Sequence, residues 1–82
     1  MGKPEKLLSK LRNASNTFPW AELVTLLAQL GYDMQEKAGS RVRFYNAANG
    51  HMIRLHRPHP ENTIKGGALK AVRQTLIQEG YP

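Results

Sequence analysis

The sequence lacks cysteine altogether, and it has no long hydrophobic run. The absence of cysteine excludes disulfide bonds and thiolate metal sites, and it suits a protein of a reducing compartment. The first residues, MGKPEKLL, have no apolar segment of the kind that a secretory signal needs, and no stretch approaches the length of a membrane span. We therefore expect a cytoplasmic protein without membrane contact, and 82 residues leave room for one domain with a modest core.

Acidic residues are also scarce, and the resulting positive charge is unevenly distributed. Up to Ser40 there are five Lys and Arg residues and four Asp and Glu residues, which gives a net charge of +1. From Arg41 onward there are seven Lys and Arg residues and two Asp and Glu residues, which gives a net charge of +5. A basic excess confined to one half indicates a surface for nucleic acid or for an acidic protein partner. The remaining interpretation is a solvated face that only improves solubility.

The basic half begins with a stretch that alternates like a β-hairpin. In residues 39–60, GSRVRFYNAANGHMIRLHRPHP, side chains alternate with period two, and the chain is predicted to turn at Ala48-Asn49-Gly50, where Asn49 and Gly50 both tolerate the positive φ of a tight turn. One face is apolar and the other is basic: the first contains Val42, Phe44, Ile53 and Leu55, and the second contains Arg41, Arg43, Tyr45, Met52, Arg54 and His56. Because a small core has no use for the second face, we expect it to bind phosphate.

Two amphipathic helices flank the strands. Pro19 suits the first turn of a helix, and the leucines after Trp20 form an apolar stripe that ends at Gly31. We expect Trp20 to lie in the core with these leucines rather than to stack on a base. A second apolar stripe follows a loop over residues 61–67, and that helix ends at Gly80.

The remaining segments complete an α+β domain. Residues 32–37 read as the first strand, and residues 1–17 as an N-terminal extension with a short helix over 5–12 and a polar linker over 13–17. The resulting order is helix, three antiparallel strands, helix. Since each helix has one apolar stripe and the sheet has one apolar face, both helices must cover the same side of the sheet and leave the other side open.

Several segments, taken together, are similar to those of HicA-type toxins, one half of bacterial or archaeal toxin–antitoxin pairs. The resemblance runs from Trp20 to Gly80. The segments that carry it are Leu30-Gly31-Tyr32, Gly39-Ser40, Pro58-His59-Pro60 and Lys65-Gly66-Gly67-Ala68-Leu69. The resemblance implies the double-stranded-RNA-binding-domain fold, αβββα, over residues 18–82, in agreement with the order of elements above.

The same resemblance implies a function. HicA-type toxins are mRNA interferases, which are endoribonucleases that cleave mRNA independently of the ribosome. We expect this chain to need no metal or other cofactor, and to be neutralised by a HicB-like antitoxin that occludes the basic face. No direct binding to DNA is expected from this chain alone.

One departure from the family pattern affects the choice of catalytic residues. The family places a histidine directly after Gly-Ser, and here that position is Arg41, whose guanidinium stays protonated and cannot act as a general base. The family's second histidine is matched by His59, and this chain adds His56 three residues earlier. We therefore predict His59 as the essential catalytic residue, with His56 assisting, because imidazole exchanges protons near neutral pH.

The cations and the tyrosine around these histidines are predicted to bind RNA. Guanidinium groups can donate two hydrogen bonds to one phosphate, and a tyrosine can hydrogen-bond a phosphate or stack on a base. The predicted RNA-binding residues are Arg41, Arg43, Tyr45, Arg54, Arg57 and Lys65. For Tyr45 the alternative is an ordinary cross-strand tyrosine on the surface.

Two other functions and a metal site remain as alternatives. Arginine at position 41 fits an RNA-binding module of the same fold that no longer cleaves, and the basic face also fits an interaction domain that binds only acidic protein. A metal site would need His51, His56 and His59 together. His51 and His56 are an odd number of residues apart on one strand and so face opposite sides of the sheet, and we therefore predict no metal ligand.

Overall fold

The computed structural model describes residues 4–81; the first three residues of the predicted extension and the last residue of the predicted domain lie outside this range. The described elements are α1 (Pro4–Asn13), β1 (Thr17–Pro19), α2 (Trp20–Gln29), β2 (Tyr32–Glu36), β3 (Arg41–Asn46), β4 (His51–His56), β5 (Thr63–Lys65) and α3 (Gly66–Gln78). The predicted α+β class is confirmed, with helix, three antiparallel strands and helix at the centre of the chain.

The hairpin and the strand before it form one antiparallel sheet in the order β2-β3-β4. Its predicted apolar face is buried: Val42 lies opposite Leu55, Phe44 lies opposite Ile53, and none of the four exceeds 9 % exposure. The apolar stripes of α2 and α3 pack into the same core. Both helices therefore cover one face of the sheet, and the opposite face stays open to solvent.

Helix α2 begins one residue after Pro19, the predicted first helical position, and it ends where the sequence predicts. Pro19 precedes it with a φ of −60°, and Gly31 follows it with a φ of 98°, a left-handed conformation that glycine adopts without steric cost. Trp20 is 9 % exposed and meets the Phe44 ring edge to face, with the ring centroids 6.1 Å apart. Trp20 is thus a core residue, as predicted, and it packs α2 against β3.

Residues at the end of the predicted linker and within the predicted loop form a second, small sheet instead. Strands β1 and β5 pair antiparallel, with Phe18 opposite Ile64, and both side chains are buried. The backbone N–H of Trp20 donates to the carbonyl oxygen of Asn62 at 2.8 Å, which ties this pair to the start of α2. Strands of three residues are too short to show a period-two pattern, so the sequence gives no indication of them.

Helix α1 is one residue longer at each end than predicted, and it docks on the rest of the chain. Leu8 and Leu11 are buried in the same core as the leucines of α2. The ammonium of Lys10 forms an ion pair with Glu22 of α2. Helix α1 therefore gains its stability from tertiary packing, which a helix of ten residues needs.

The hairpin loop is one residue longer than the turn predicted at Ala48-Asn49-Gly50. Strands β3 and β4 are joined by four residues, 47–50, and only Gly50 has a positive φ, of 75°. The buried side chain of Asn46 explains the longer loop: its Nδ2 donates to the carbonyl oxygen of Leu30 at 3.2 Å, and its Oδ1 accepts the backbone N–H of Ala48 at 3.0 Å. The loop is thereby anchored to the end of α2.

Candidate functional site

The open face of the sheet, which is the side away from the helices, carries its side chains in three cross-strand rows. From one end to the other, the pairs are Arg41 with His56, Arg43 with Arg54, and Tyr45 with Met52. Strand β2 adds Gln35 beside Arg43 and Asp33 beside Tyr45. The predicted separation of one apolar and one basic face is therefore confirmed.

The first row brings a cation and an imidazole together. Arg41 is the first residue of β3 and His56 is the last residue of β4, and the antiparallel register places them directly opposite each other. The Nδ1 atom of His56 lies 3.3 Å from Oγ of Ser40, within hydrogen-bond distance. A backbone hydrogen bond of 2.7 Å from Arg57 N to Ser40 O fixes the two strand ends to each other. The His56 ring is thus held at the same end of the open face as Arg41.

A depression of about 350 Å³ lies over the first two rows. Its charged side chains are those of Lys37, Arg41, Arg43 and Arg54, and His56 also lines it. Among the ion pairs within the described residues, none includes Arg41, Arg43 or Arg54. The Nε atom of Arg41 donates to the carbonyl oxygen of Ala38 at 3.4 Å, and its terminal nitrogens remain available for an anion, as do the guanidinium groups of Arg43 and Arg54. Directly opposed like charges repel each other, and a bound phosphate would relieve that repulsion.

The other two predicted cations already have carboxylate partners. Arg57 follows the end of β4, and its guanidinium pairs with Glu36 of β2. Lys65, at the end of β5, pairs with Glu61 at 2.7 Å. RNA would have to compete with these carboxylates, and the predicted contacts of Arg57 and Lys65 stay predictions.

His59 lies in the exposed segment between β4 and β5. A second depression, of about 220 Å³, is lined by His56, His59 and Lys65 among other residues. His56 lines both depressions, and it therefore connects the segment of His59 with the arginines of the open face.

His51 belongs to the opposite side of the sheet. Its Nδ1 atom lies 2.6 Å from the hydroxyl of Tyr32, and its Nε2 atom lies 3.9 Å from a carboxylate oxygen of Glu79. Burial, followed by the proximity of Tyr81 and Glu79, raises the pKa of Tyr32 to about 12. His51 is thus part of a structural contact between β4, β2 and the end of α3, away from His56.

Within residues 4–81 no group of three or more His, Cys, Asp or Glu side chains is arranged to hold a metal ion.

Four residues around the open face were not predicted as site residues. Ser40 contacts His56, Lys37 lines the larger depression, and Gln35 and Asp33 flank the hairpin rows. Period two assigns Asp33 and Gln35 to a face of β2, but only the register between β2 and β3 shows that this face continues the basic one.

One family of known proteins matches most of the chain. A family model described as the HicA toxin of bacterial toxin–antitoxin systems matches residues 20–79, which include α2, the whole sheet, both candidate histidines and α3. No curated protein and no solved structure matches the chain. None of the helices in the described range is long and apolar enough to cross a membrane. The chain therefore belongs to the HicA family, the toxins of bacterial toxin–antitoxin systems.

Proposed function

We propose that this toxin is a metal-independent endoribonuclease that cleaves mRNA on the open face of its sheet. The observation that carries the proposal is the pairing of His56 with Arg41, next to the row formed by Arg43 and Arg54. A proton-transfer group beside several cations, in a depression that can accept a phosphate, provides what RNA cleavage needs when no metal takes part.

RNA supplies its own nucleophile, because the 2′-hydroxyl can attack the adjacent phosphorus. As the bond from O2′ to phosphorus forms and the bond from phosphorus to O5′ breaks, one group accepts the hydroxyl proton and another protonates the leaving oxygen. We assign these two transfers to His59 and His56, with His59 as the essential residue. Arg41 stabilises the negative charge that grows on the pentacovalent phosphate.

Ser40 supports this assignment by orienting His56. The contact between Ser40 Oγ and His56 Nδ1 leaves the Nε2 atom of the imidazole free to face the substrate. Ser40 is therefore a positioning residue, and Arg41 and His56 touch the reacting groups.

The remaining cations hold the RNA chain. Arg43 and Arg54 bind the phosphate next to the one that is cut, and Tyr45 stacks on a base. Arg57 and Lys65 contribute less, because RNA must first displace their carboxylate partners.

The partner of this toxin follows from the same surface. We propose a HicB-like antitoxin with an acidic surface that covers the arginines and both histidines, so that inhibition is direct occlusion. The substrate, mRNA, assigns the activity to the cytoplasm. A complex in which both histidines remained open to RNA would contradict occlusion.

A cleavage assay with defined RNA in a buffer that contains a chelator tests the proposal. Attack by the 2′-hydroxyl leaves a 2′,3′-cyclic phosphate on one product and a 5′-hydroxyl on the other, and both ends can be identified by mass spectrometry. Binding without any cleavage would instead indicate the alternative, an RNA-binding module that has lost activity, which the arginine at position 41 would then explain. Cleavage that requires a divalent cation would overturn the mechanism.

A further inference from the structure

Asp33 is the one carboxylate in the three rows of the open face. It lies beside Tyr45, it is exposed, and none of the ion pairs among the described residues includes it. A free carboxylate repels phosphate, so its position on a phosphate-binding face needs another explanation. Its two oxygens accept hydrogen bonds and donate none, and they suit a part of the nucleotide that carries donors.

The neighbours of Asp33 form a platform for a flat, apolar ring. Tyr45 is 36 % exposed, which makes it one of two large hydrophobic residues exposed in the described range. Met52 lies opposite Tyr45 and is half-buried. An aromatic ring and a thioether side by side offer a stacking surface for a nucleobase. The row thus combines a stacking surface with a pair of hydrogen-bond acceptors at its edge.

We propose that this row, formed by Asp33, Tyr45 and Met52, is a binding site for a guanine base of the substrate RNA. Guanine presents two adjacent donors on its Watson–Crick edge, the N1–H and the N2 amino group, and a carboxylate can accept both at once. Adenine and cytosine place an acceptor nitrogen next to their amino group, and uracil flanks its N–H with two carbonyl oxygens. Each of these three bases would bring an acceptor against the carboxylate.

The position of the row relative to His56 determines which nucleotide is read. Tyr45 lies four residues along β3 from Arg41, a separation of about 13 Å. The row of Arg43 and Arg54 lies between them and holds the intervening phosphate. The guanine therefore belongs to a nucleotide that flanks the cut, and the preference should appear at a fixed distance from it. This inference rests on the proposed function, because the same RNA strand must cross all three rows.

A binding experiment tests the base assignment without requiring cleavage. The probe is a 2′-O-methylated oligouridine, which cannot be cut by its own 2′-hydroxyl, with a single guanosine; the comparison probe carries inosine, which lacks the N2 amino group. The wild-type protein should bind the guanosine probe about tenfold more tightly, and Asp33→Asn should reduce this ratio to near one. Glu36→Gln removes the same charge from the same strand and should keep the wild-type ratio. Equal affinity of the wild type for both probes, or a ratio that Asp33→Asn leaves unchanged, would overturn the inference.

Mapping the cut sites in a randomised RNA separates this inference from the proposed function. Wild-type cleavage should show guanine enriched at one position relative to the cut, and Asp33→Asn should lose the enrichment while still cutting. Cleavage without any positional preference would overturn the guanine site but would still support the proposed endoribonuclease activity. Absence of cleavage would overturn the proposed function, and the binding ratio would still decide the base assignment.

Discussion

Replacing Arg43 and Arg54 together by alanine tests whether the open face binds RNA phosphates. The two residues lie directly opposite each other, and no carboxylate in the described part of the chain pairs with either. For single-stranded nucleic acid, each neutralised phosphate contributes about −0.7 to the slope of log K against the logarithm of the salt concentration. The double variant should therefore lose about 1.4 from the magnitude of this slope, provided that each guanidinium neutralises one phosphate.

The slope is measured with a labelled, cleavage-resistant RNA at several potassium chloride concentrations. Since phosphate contacts carry little sequence information, the affinity should fall alike for RNAs of different sequence. The control is Lys6→Ala combined with Lys10→Ala, which removes two cations from α1 on the helical side of the molecule and should keep the wild-type slope. An unchanged slope in the arginine variant would refute the reasoning, because the open face would then make no phosphate contact.

Three further predictions concern stability and the orientation of the His56 ring. Leu11 is 2 % exposed, so Leu11→Ala should lower the free energy of unfolding by about 2–5 kcal/mol, as measured by urea denaturation. A loss near zero would mean that α1 is not part of the core. The pKa of Tyr32 is about 12 in the folded protein, against 10.0 for a free tyrosine. As the pH rises from 10 toward 12, the Tyr32 hydroxyl therefore loses its proton first in the unfolded chain, and the free energy of unfolding should fall. Tyr32→Phe should remove this fall, and an unchanged pH profile in that variant would contradict the raised pKa. Ser40→Ala should lower kcat for RNA cleavage about fivefold with little change in KM, since it removes one hydrogen bond to His56 and no contact to RNA.

The sequence predicts the larger elements well, because they carry strong local patterns. The apolar stripe that starts at Trp20 and the alternation in the hairpin each predict which side of the element is buried, and the structure confirms both predictions. The pairing of Phe18 with Ile64 could not be predicted, since these residues are far apart in the chain and their strands have three residues each. The length of the hairpin loop depends on Asn46, whose buried contacts to α2 leave no local pattern.

For the candidate site, the sequence predicts which face of the sheet each side chain occupies, but it does not predict most of the contacts between these side chains. Period two places Arg41 and His56 on the same face, and the antiparallel hairpin brings them opposite each other. Arg57 follows β4 and Glu36 lies in β2, so their ion pair forms only when all three strands of the sheet are in the correct register. The sequence shows no connection between these two residues. The contact of Ser40 with His56 likewise depends on where β3 begins beside the end of β4.

The rate of metal-free RNA cleavage by the histidine variants tests the central claim most directly. His59→Ala should fold and bind RNA like the wild type, yet lose cleavage and the arrest of growth in cells. His56→Ala should also cleave more slowly, because the variant lacks the imidazole that lies on the same face as Arg41, where we propose that the phosphate binds. Cleavage by His59→Ala at the wild-type rate would contradict the assignment of that residue. If His56→Ala also cut RNA at the wild-type rate, the histidine mechanism on the open face would be wrong.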